Sequence, residues 1–446
     1  MDEKTILANL EDLTADILFT EWKAGNIEYE KAENTGRLEY NKGKSWKEKI
    51  DKFYEDDDAA WDEAQYSDES ALRNYIAQYK PRGRHIEEAK KAIDSLKEKE
   101  REREQAREDI LDKLRQNLLS VTEIQNHLKN NTLRKSDIQE LDIPDEVKQL
   151  CINYKSIDLK LGKTPESIPE GFTEVYLWGI PGSGKTCALS AILGTAERMG
   201  LLALGSGEGR GYAMKLKNIF DVDEDSNYAI LPPPTPLEKT QYLPFTLRKK
   251  NESDARSVSL IELSGEIFKC FTFLANNSDS DQQLPSQIED TFNTLTNYLQ
   301  SKNRKIHFFF IDYDKGNKVD EDGIRQSDYL DAARLYFEEN HIFDRTTDAI
   351  YIVLTKSDLL RCLPENLLNE TRNYMTNRFD SFINTMRNIC QRNVAGGQLY
   401  FEPFSIGEVF YKGICKFDES ASKRIIEILM NRIQPAKKNL LEFLNK

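Results

Sequence analysis

The most constraining feature of the sequence is the string GIPGSGKT at residues 179–186. A run rich in aromatic and β-branched residues precedes it at 172–178, and an apolar run follows at 187–193. This context predicts a strand, a tight loop and a helix. Glycines in such a loop let its N–H groups turn toward phosphate oxygens, and the helix N-terminus adds partial positive charge. The string therefore predicts a site for the phosphates of a nucleotide; the structural alternative is a glycine-rich turn.

The predicted loop assigns a role to each of its polar residues. Lys185 is spaced to reach the β- and γ-phosphates, and the Thr186 hydroxyl is spaced to ligate Mg²⁺. We expect contact with the nucleotide from the loop and from the residue after it, namely Gly179, Pro181, Gly182, Ser183, Gly184, Lys185, Thr186 and Cys187.

Composition limits the class of protein. The 446 residues carry a net charge of −14, which disfavours nucleic acid as a partner because phosphate backbones are bound by basic faces. The longest apolar runs, such as 308–311, are far too short to span a bilayer, and the chain opens without an apolar leader. The six cysteines include no CxxC pair. We expect a cytoplasmic protein with no membrane span.

Residues 1–165 read as a highly charged, all-helical region with one long helix at about 86–116. The string from Ala60 through Tyr75, Pro81 and His85 to Ala89 resembles a short helical-hairpin module of multidomain bacterial proteins, in the style of tetratricopeptide repeats. We expect this region to bind a protein partner, although a plain helical bundle would read similarly. The linker is the Pro/Gly-containing stretch 163–171.

Residues 166–446 alternate strand and helix patterns, which predicts an α/β domain with a mostly parallel sheet. We expect this domain to fold and bind nucleotide without the region before it. The predicted strands are 172–178, 241–249, 256–263, 305–312, 348–355 and 398–405. The predicted helices are 185–199, 208–219, 266–276, 285–301, 325–339, 364–392, 419–432 and 435–444. A long Pro-rich irregular stretch, 221–236, is expected to be functional.

The apolar strand pattern at 349–354 ends in TKSD, residues 355–358. A carboxylate at Asp358 can accept hydrogen bonds from guanine N1–H and from its exocyclic amine, which adenine does not present. The aliphatic stem of Lys356 can cover the face of a base. Thr355 can use its hydroxyl to tie the loop together.

Two further strand ends complete the pattern. The string ELSGE at 262–266 resembles the DxxG motif that GTP-binding P-loop proteins carry at the end of a strand. That resemblance implies that Glu262 would hold Mg²⁺, that Gly265 would offer its N–H to the γ-phosphate, and that Glu266 would orient the attacking water. The string FSIG at 404–407 lies at the end of the last predicted strand, where the resemblance implies that Ser405 would contact the base.

Taken in order, these four strings resemble the first, third, fourth and fifth motif boxes of the translation-factor-related P-loop GTPases. The resemblance covers 172 to about 446 and is close to the divergent bacterial GTPases of defence and conflict operons, which often carry helical or death-like modules. It implies a GTPase that uses GTP/GDP and Mg²⁺. This chain differs from the family motifs at two positions, where Thr355 replaces asparagine and Glu262 replaces aspartate. The resemblance also implies a switch threonine before residue 256, and we favour Thr235 over Thr240 and Thr246.

Two other functions fit the same residues. An ATPase of the AAA or STAND kind would use the strand at 308–312 and place Asp312 on Mg²⁺, although the next residue is Tyr313 and not the usual glutamate base. A scaffold that binds GTP and barely hydrolyses it fits the glutamates at 262 and 266. The identity of the bound nucleotide distinguishes the ATPase from the GTPase, and the rate of hydrolysis distinguishes the scaffold from the GTPase.

Overall fold

The computed structural model describes residues 1–157, 159, 167–205, 209–222, 227–232, 240–248, 255–276 and 286–433. The chain folds into two compact units, Met1–Asp112 and Lys113–Lys446. No helix among the described residues is both long and apolar enough to cross a membrane.

The first unit is all-helical, as expected. Its helices are α1 (Glu3–Ala8), α2 (Ala15–Lys23), α3 (Tyr29–Glu33), α4 (Tyr40–Ala64), α5 (Glu69–Tyr79) and α6 (Ile86–Arg115), which continues past Asp112. Trp22, Trp46 and Phe53 are buried in its core. The α4–α5 hairpin is fixed by Asp57, which is fully buried and accepts hydrogen bonds from the Tyr75 hydroxyl at 2.5 Å and the residue 84 backbone N–H at 2.6 Å.

The second unit contains a seven-stranded sheet and a small three-stranded sheet. In the large sheet the strand order is β2-β4-β5-β1-β6-β7-β8, parallel except that β4 runs antiparallel to β2 and β5; the small antiparallel sheet has the order β3-β10-β9. The strands are β1 (Thr173–Trp178), β2 (Leu202–Leu204), β3 (Tyr228–Ile230), β4 (Gln241–Leu247), β5 (Arg256–Glu262), β6 (Arg304–Asp312), β7 (Thr347–Thr355), β8 (Leu399–Phe404), β9 (Gly407–Phe410) and β10 (Ile414–Phe417).

Three helices precede the large sheet in the chain: α7 (Val121–Lys129), α8 (Lys135–Gln139) and α9 (Asp145–Asn153). The helices that cover both faces of the large sheet are α10 (Lys185–Arg198), α11 (Arg210–Ile219), α12 (Ile267–Asn276), α13 (Ser286–Leu299), α14 (Gln326–Glu339), α15 (Leu367–Arg378), α16 (Asp380–Asn393) and α17 (Ser420–Arg432). Alternate residues of β1 supply the two cores: Val175 and Leu177 join the α10, α11 and α17 side, while Tyr176 and Trp178 join the α12, α14 and α16 side. The fold class expected from the sequence is thus confirmed.

The elements differ from the prediction at a few points. The single helix expected at 364–392 is wrong: a short 3₁₀ turn leads into α15, and the chain then breaks at Phe379, whose backbone leaves the helical region at φ −127° and ψ 41°. That residue is 3% exposed, so the break is where its ring enters the core. The helix expected at 435–444 lies outside the described residues.

Helices α7 to α9 belong to the α/β unit, although we expected the domain boundary at 165/166. Their buried side chains include Ile124, Ile138 and Val147, and the Val121 N–H donates to the Tyr411 carbonyl at 2.7 Å. The division therefore falls between Asp112 and Lys113, upstream of the Pro/Gly-containing stretch.

This division predicts how truncation affects stability. We expect a fragment of residues 113–446 to unfold cooperatively, whereas a fragment of residues 167–446 should have a lower thermal midpoint, because it loses the buried apolar side chains of α7 to α9. Thermal unfolding followed by circular dichroism compares the two. Equal midpoints for both fragments would contradict the assignment of α7 to α9 to this unit.

Candidate nucleotide-binding site

The strands β1, β5, β6, β7 and β8 are parallel, so the loops that follow them meet at one edge of the sheet. A cleft of about 630 Å³ lies there, which is within the size range of ligand sites. Its lining includes residues 181–187, 262–266 and 404–407, together with Thr355, Lys356, Asp358 and Leu359. The cleft therefore brings all four sequence motifs into one cavity.

The loop between β1 and α10 has a backbone that requires glycine. Gly179 has φ +151°, and a Cβ there would lie 2.5 Å from Ser183 Oγ and 2.7 Å from the Phe310 carbonyl. Lys185 begins α10 and is 7% exposed; its ammonium donates to the carbonyls of Gly179 at 2.6 Å and Ile180 at 3.1 Å. Burial lowers the pKa of Lys185 to about 8. Among the described residues this ammonium donates to two neutral carbonyls, so an anionic ligand would be a better partner for it.

Gly265, which follows β5, lies directly on this loop. A Cβ at that position would be 2.4 Å from the Pro181 nitrogen and 2.8 Å from the Ile180 carbonyl carbon. Real Cβ atoms do not approach so closely, and backbone neighbours cannot rotate away. The backbone of the β5–α12 loop is thereby placed next to the phosphate loop, where its N–H groups can face the same ligand.

Glu262 and Thr186 form a hydrogen-bonded pair in the lining of the cleft. Glu262 is 2% exposed and accepts hydrogen bonds from the Thr186 hydroxyl and, at 2.9 Å, from the Tyr212 hydroxyl. Burial raises the pKa of Glu262. The longer glutamate side chain, where the resembling family has aspartate, therefore still reaches Thr186. Cys187, the next residue of α10, lines the cleft partly exposed, and burial raises the pKa of its thiol to about 12.

These residues fit a magnesium ion. A hydroxyl and a carboxylate are oxygen ligands of the kind that Mg²⁺ prefers, and the carboxylate has no ion pair within 4 Å inside the described part of the chain. No group of three or more His, Cys, Asp or Glu residues among those described could hold a metal by itself. A site of few protein ligands is what Mg²⁺ uses when phosphate oxygens and water supply the rest.

Asp312, the alternative metal ligand, points to a different partner. It is fully buried at the end of β6, and its carboxylate accepts from Lys356 Nζ at 2.9 Å and from the residue 314 backbone N–H at 2.9 Å. The Thr186 hydroxyl donates to Glu262 instead. This geometry disfavours the AAA or STAND assignment, in which Asp312 would serve the ion beside Thr186.

The TKSD segment is attached to the phosphate loop by its first residue. The Thr355 hydroxyl donates to the Ser183 carbonyl at 2.9 Å and lies 3.2 Å from the Ile311 carbonyl. Lys356 adopts φ +55° and lines the cleft beside Asp358. The Asp358 side chain is exposed and, within the described ranges, no hydrogen bond or ion pair engages its carboxylate.

Ser405 and Glu266 lie at separate places on the cleft wall. The Ser405 hydroxyl accepts from the residue 407 backbone N–H at 3.1 Å and so shapes the loop after β8. The Glu266 carboxylate lies 3.6 Å from Lys269 Nζ, and that ammonium is also 3.2 Å from Asp322. Thr235, the favoured switch threonine, lies outside the described residues.

Sequence reasoning did not single out Leu359, Val409 and Lys412, which line the cleft, or Lys315, which donates to the Pro181 carbonyl at 2.6 Å. Leu231 and Pro232 also line the cleft, and they belong to the irregular stretch 221–236 that was expected to be functional. Strands β3, β9 and β10 have only three or four residues each, too few for a pattern to register. The sequence signal for Lys315 was its place three residues after a strand that ends at the same sheet edge.

Comparison with known proteins gives only distant likenesses. No family model matches the chain, and no curated protein matches it. Nucleolar GTP-binding protein 1 of Plasmodium falciparum aligns with 59% of this chain and 89% of its own, at 13% identity and TM-score 0.26. Elongation factor SelB of Methanococcus maripaludis, in complex with GppNHp, aligns with 60% of this chain but 36% of its own, at 11% identity and TM-score 0.24. The signal recognition particle receptor SRβ–GTP/SRX complex of Chaetomium thermophilum aligns with 58% of this chain and 100% of its own, at 16% identity and TM-score 0.25.

Likenesses at these scores carry no inference about activity. The class of the second unit rests on its own features instead: a mostly parallel sheet, with a glycine loop between β1 and α10 that holds a buried lysine. The chain has an α/β P-loop nucleotide-binding fold preceded by a helical region.

Proposed function

We propose that the protein binds GTP with Mg²⁺, hydrolyses it slowly, and acts as a nucleotide-dependent switch for a protein partner reached through residues 1–165. The observation that carries the proposal is the Asp358 carboxylate, which has no hydrogen bond or ion pair among the described residues and lines the same cleft as the phosphate loop and Lys185. This arrangement supports a ligand with a guanine at one end and phosphates at the other.

The chemistry of the base end favours guanine over adenine. A carboxylate only accepts hydrogen bonds, and guanine offers two adjacent donors on its N1 and exocyclic amine. Adenine places an acceptor where guanine has the N1–H, so it would face Asp358 with repulsion. The Lys356 stem and Leu359 supply apolar surface beside that carboxylate.

Thr186 and Glu262 would hold the magnesium ion. A bound Mg²⁺ bridges phosphate oxygens and neutralises charge that develops on them. Lys185 would bind the β- and γ-phosphates by exchanging its bonds to two loop carbonyls for bonds to phosphate. The backbone of Gly265, fixed against Pro181, would offer its N–H to the γ-phosphate.

Glu266 is the candidate for orienting the attacking water, because it lines the cleft immediately after Gly265. Its negative charge next to a phosphate opposes that role, whereas Lys269 at 3.6 Å offsets part of the charge. We therefore infer slow turnover. The negative charge of Glu266 also favours the second candidate function, a GTP-binding scaffold that hydrolyses little.

The order of the motifs along the chain supports the translation-factor-related class of GTPases. The helical region before them is what the resemblance to bacterial defence GTPases adds, and the partner of that region would be a protein. We propose this class together with the function above.

The deciding experiment measures nucleotide preference on the full chain. Radiolabelled GTP bound to the purified protein is competed with unlabelled GTP or ATP, in the presence of Mg²⁺. We expect GTP to compete at least about a hundredfold better than ATP, as two hydrogen bonds to a charged group would give. Equal competition by ATP would refute guanine selectivity.

Glu266→Ala tests whether the protein is a switch or a scaffold. If this carboxylate orients water, hydrolysis in single turnover should fall at least about tenfold, which is 1.4 kcal/mol of barrier, while GTP affinity stays close to that of the parent. Radiolabelled phosphate release and nucleotide binding are measured on the same preparations.

The control is Asp322→Asn, which removes the other carboxylate next to Lys269 but leaves the cleft lining intact. It should hydrolyse GTP at the parent rate. A Glu266→Ala protein as active as the parent would remove Glu266 from the mechanism, and a parent with no measurable turnover would favour the scaffold.

A further inference from the structure

We propose that Asn117 is a positioning residue of the nucleotide cleft: it fastens the β9–β10 turn, which places Val409 and Lys412 at the base end, and so sets how long a nucleotide stays bound. This proposal rests on the proposed function. It gives the segment before α7 a direct part in a site whose sequence motifs all lie after residue 170.

The β9–β10 hairpin is a wall of the cleft. It begins two residues after Ser405, and both Val409 and Lys412 line the same cavity as Asp358. The hairpin is also fixed to the Ser405 loop, because the Cys415 thiol donates to the Ile406 carbonyl at 3.1 Å. The residue 418 backbone N–H donates to the same carbonyl at 2.9 Å. A shift of the hairpin would therefore move the base end of the site.

The turn of this hairpin has an unfavourable backbone. Tyr411 and Lys412 are consecutive non-glycine residues in the left-handed region, with φ +49° and φ +51°. Such residues cost free energy and persist only where their surroundings hold them. The Gly413 N–H closes the turn by donating to the Phe410 carbonyl at 3.1 Å, and bonds from outside the hairpin add to this support.

Those bonds come from the segment that leads into α7. The Tyr411 N–H donates to Asn117 Oδ1 at 2.5 Å, and Asn117 Nδ2 donates to the Val409 carbonyl at 3.3 Å. The Val121 N–H donates to the Tyr411 carbonyl at 2.7 Å. Gly413 packs closely against Val121, since a Cβ there would lie 2.3 Å from its Cγ1. The side chain of Asn117 thus forms hydrogen bonds to both Val409 in β9 and Tyr411 in the turn.

The small sheet extends this support to a second part of the cleft. β3 pairs with β10, and the Leu231 N–H donates to the residue 413 carbonyl at 2.8 Å. Leu231 and Pro232 line the cleft immediately after β3. Fastening the turn therefore holds two groups of cleft residues, and a nucleotide bound between them would in turn stabilise the fastened turn, because coupling between sites is reciprocal.

The test uses Asn117→Gly in the full chain, since glycine accepts φ +57° and removes only the side chain. Asn131→Gly is the matched control: that residue has φ +56°, lies exposed between α7 and α8, and makes no side-chain hydrogen bond within the described ranges. We measure the dissociation rate of radiolabelled GDP, the affinity for inorganic tripolyphosphate by competition, and the thermal midpoint without nucleotide.

We expect Asn117→Gly to release GDP roughly five- to tenfold faster, from the loss of two hydrogen bonds, while tripolyphosphate competes as in the parent. Asn117→Asp keeps the acceptor for the Tyr411 N–H, so its GDP release rate should lie between those of the parent and Asn117→Gly. Tripolyphosphate separates the roles, because it fills the phosphate end and leaves the base end empty.

Two results would overturn the proposal. One is a GDP release rate for Asn117→Gly no higher than for Asn131→Gly. The other is an equal loss of GDP and tripolyphosphate binding with a lowered thermal midpoint, which would make Asn117 a structural residue. A parent protein that binds ADP in place of GDP would refute guanine selectivity alone, and the release rates would then be measured with ADP. A parent protein that binds no nucleotide would refute both the proposed function and the role of Asn117.

Discussion

Replacing Asp358 by asparagine should lower GTP affinity by roughly 2–4 kcal/mol, or about 30- to several hundredfold. The parent carboxylate is exposed in the cleft and free of partners among the described residues, so it can accept both guanine donors. The amide has one acceptor and one donor, and the donor would meet a guanine N–H. Xanthosine triphosphate presents a carbonyl at that edge of the base, so its affinity should rise. Competition binding against radiolabelled GTP measures all three ligands.

The cleft offers a matched control for this substitution. Asp314→Asn makes the same change at another aspartate of the lining, whose carboxylate pairs with Lys318 at 2.6 Å. It should leave both the GTP affinity and the ratio of GTP to xanthosine triphosphate close to the parent values. If the two variants lose GTP affinity equally, the effect is one of charge in the cleft and Asp358 does not read the base.

The long, patterned elements of this fold could be predicted from sequence because each carries its own signal. The six longer strands of the large sheet have enough apolar positions to show, and α10 and α14 start and end within one residue of the expected bounds. The glycine loop could be predicted without knowledge of the tertiary structure, because its glycines occupy positions with positive φ that other residues rarely adopt. Such local signals also placed Glu262 and Asp358 at strand ends.

Tertiary packing decides what the sequence did not show. Phe379 is one apolar residue in a helical pattern, and only the core beneath it makes the chain break there. The hairpin turn at Tyr411 is held by Asn117, almost three hundred positions away in the chain, so no local pattern could reveal it. Asp312 and Glu262 both end a strand, so the sequence could not tell which of them contacts Thr186. The order of the strands in the sheet decides this: Thr186 bonds to Glu262, and Asp312 pairs with Lys356.

Lys185→Met should reduce nucleotide binding by at least about a hundredfold. The ammonium is nearly buried, donates only to loop carbonyls in the described structure, and would exchange those bonds for charged phosphate oxygens. Removing one partner of a buried charge pair typically costs about 3–5 kcal/mol. Methionine keeps a chain of similar length and apolar character, so the loop should stay packed. The affinity for GTP and the thermal midpoint without nucleotide are measured together.

Lys315→Met distinguishes a phosphate ligand from a residue that only braces the loop. Lys315 also donates to a carbonyl of the same loop, that of Pro181 at 2.6 Å, but it is absent from the lining of the cleft. Losing that single hydrogen bond should cost no more than about 1 kcal/mol, or roughly fivefold in affinity. If bracing were the only function of both lysines, the two variants would weaken GTP binding to a similar extent. A large loss for Lys185→Met beside a small one for Lys315→Met is the result expected if Lys185 contacts the phosphates themselves.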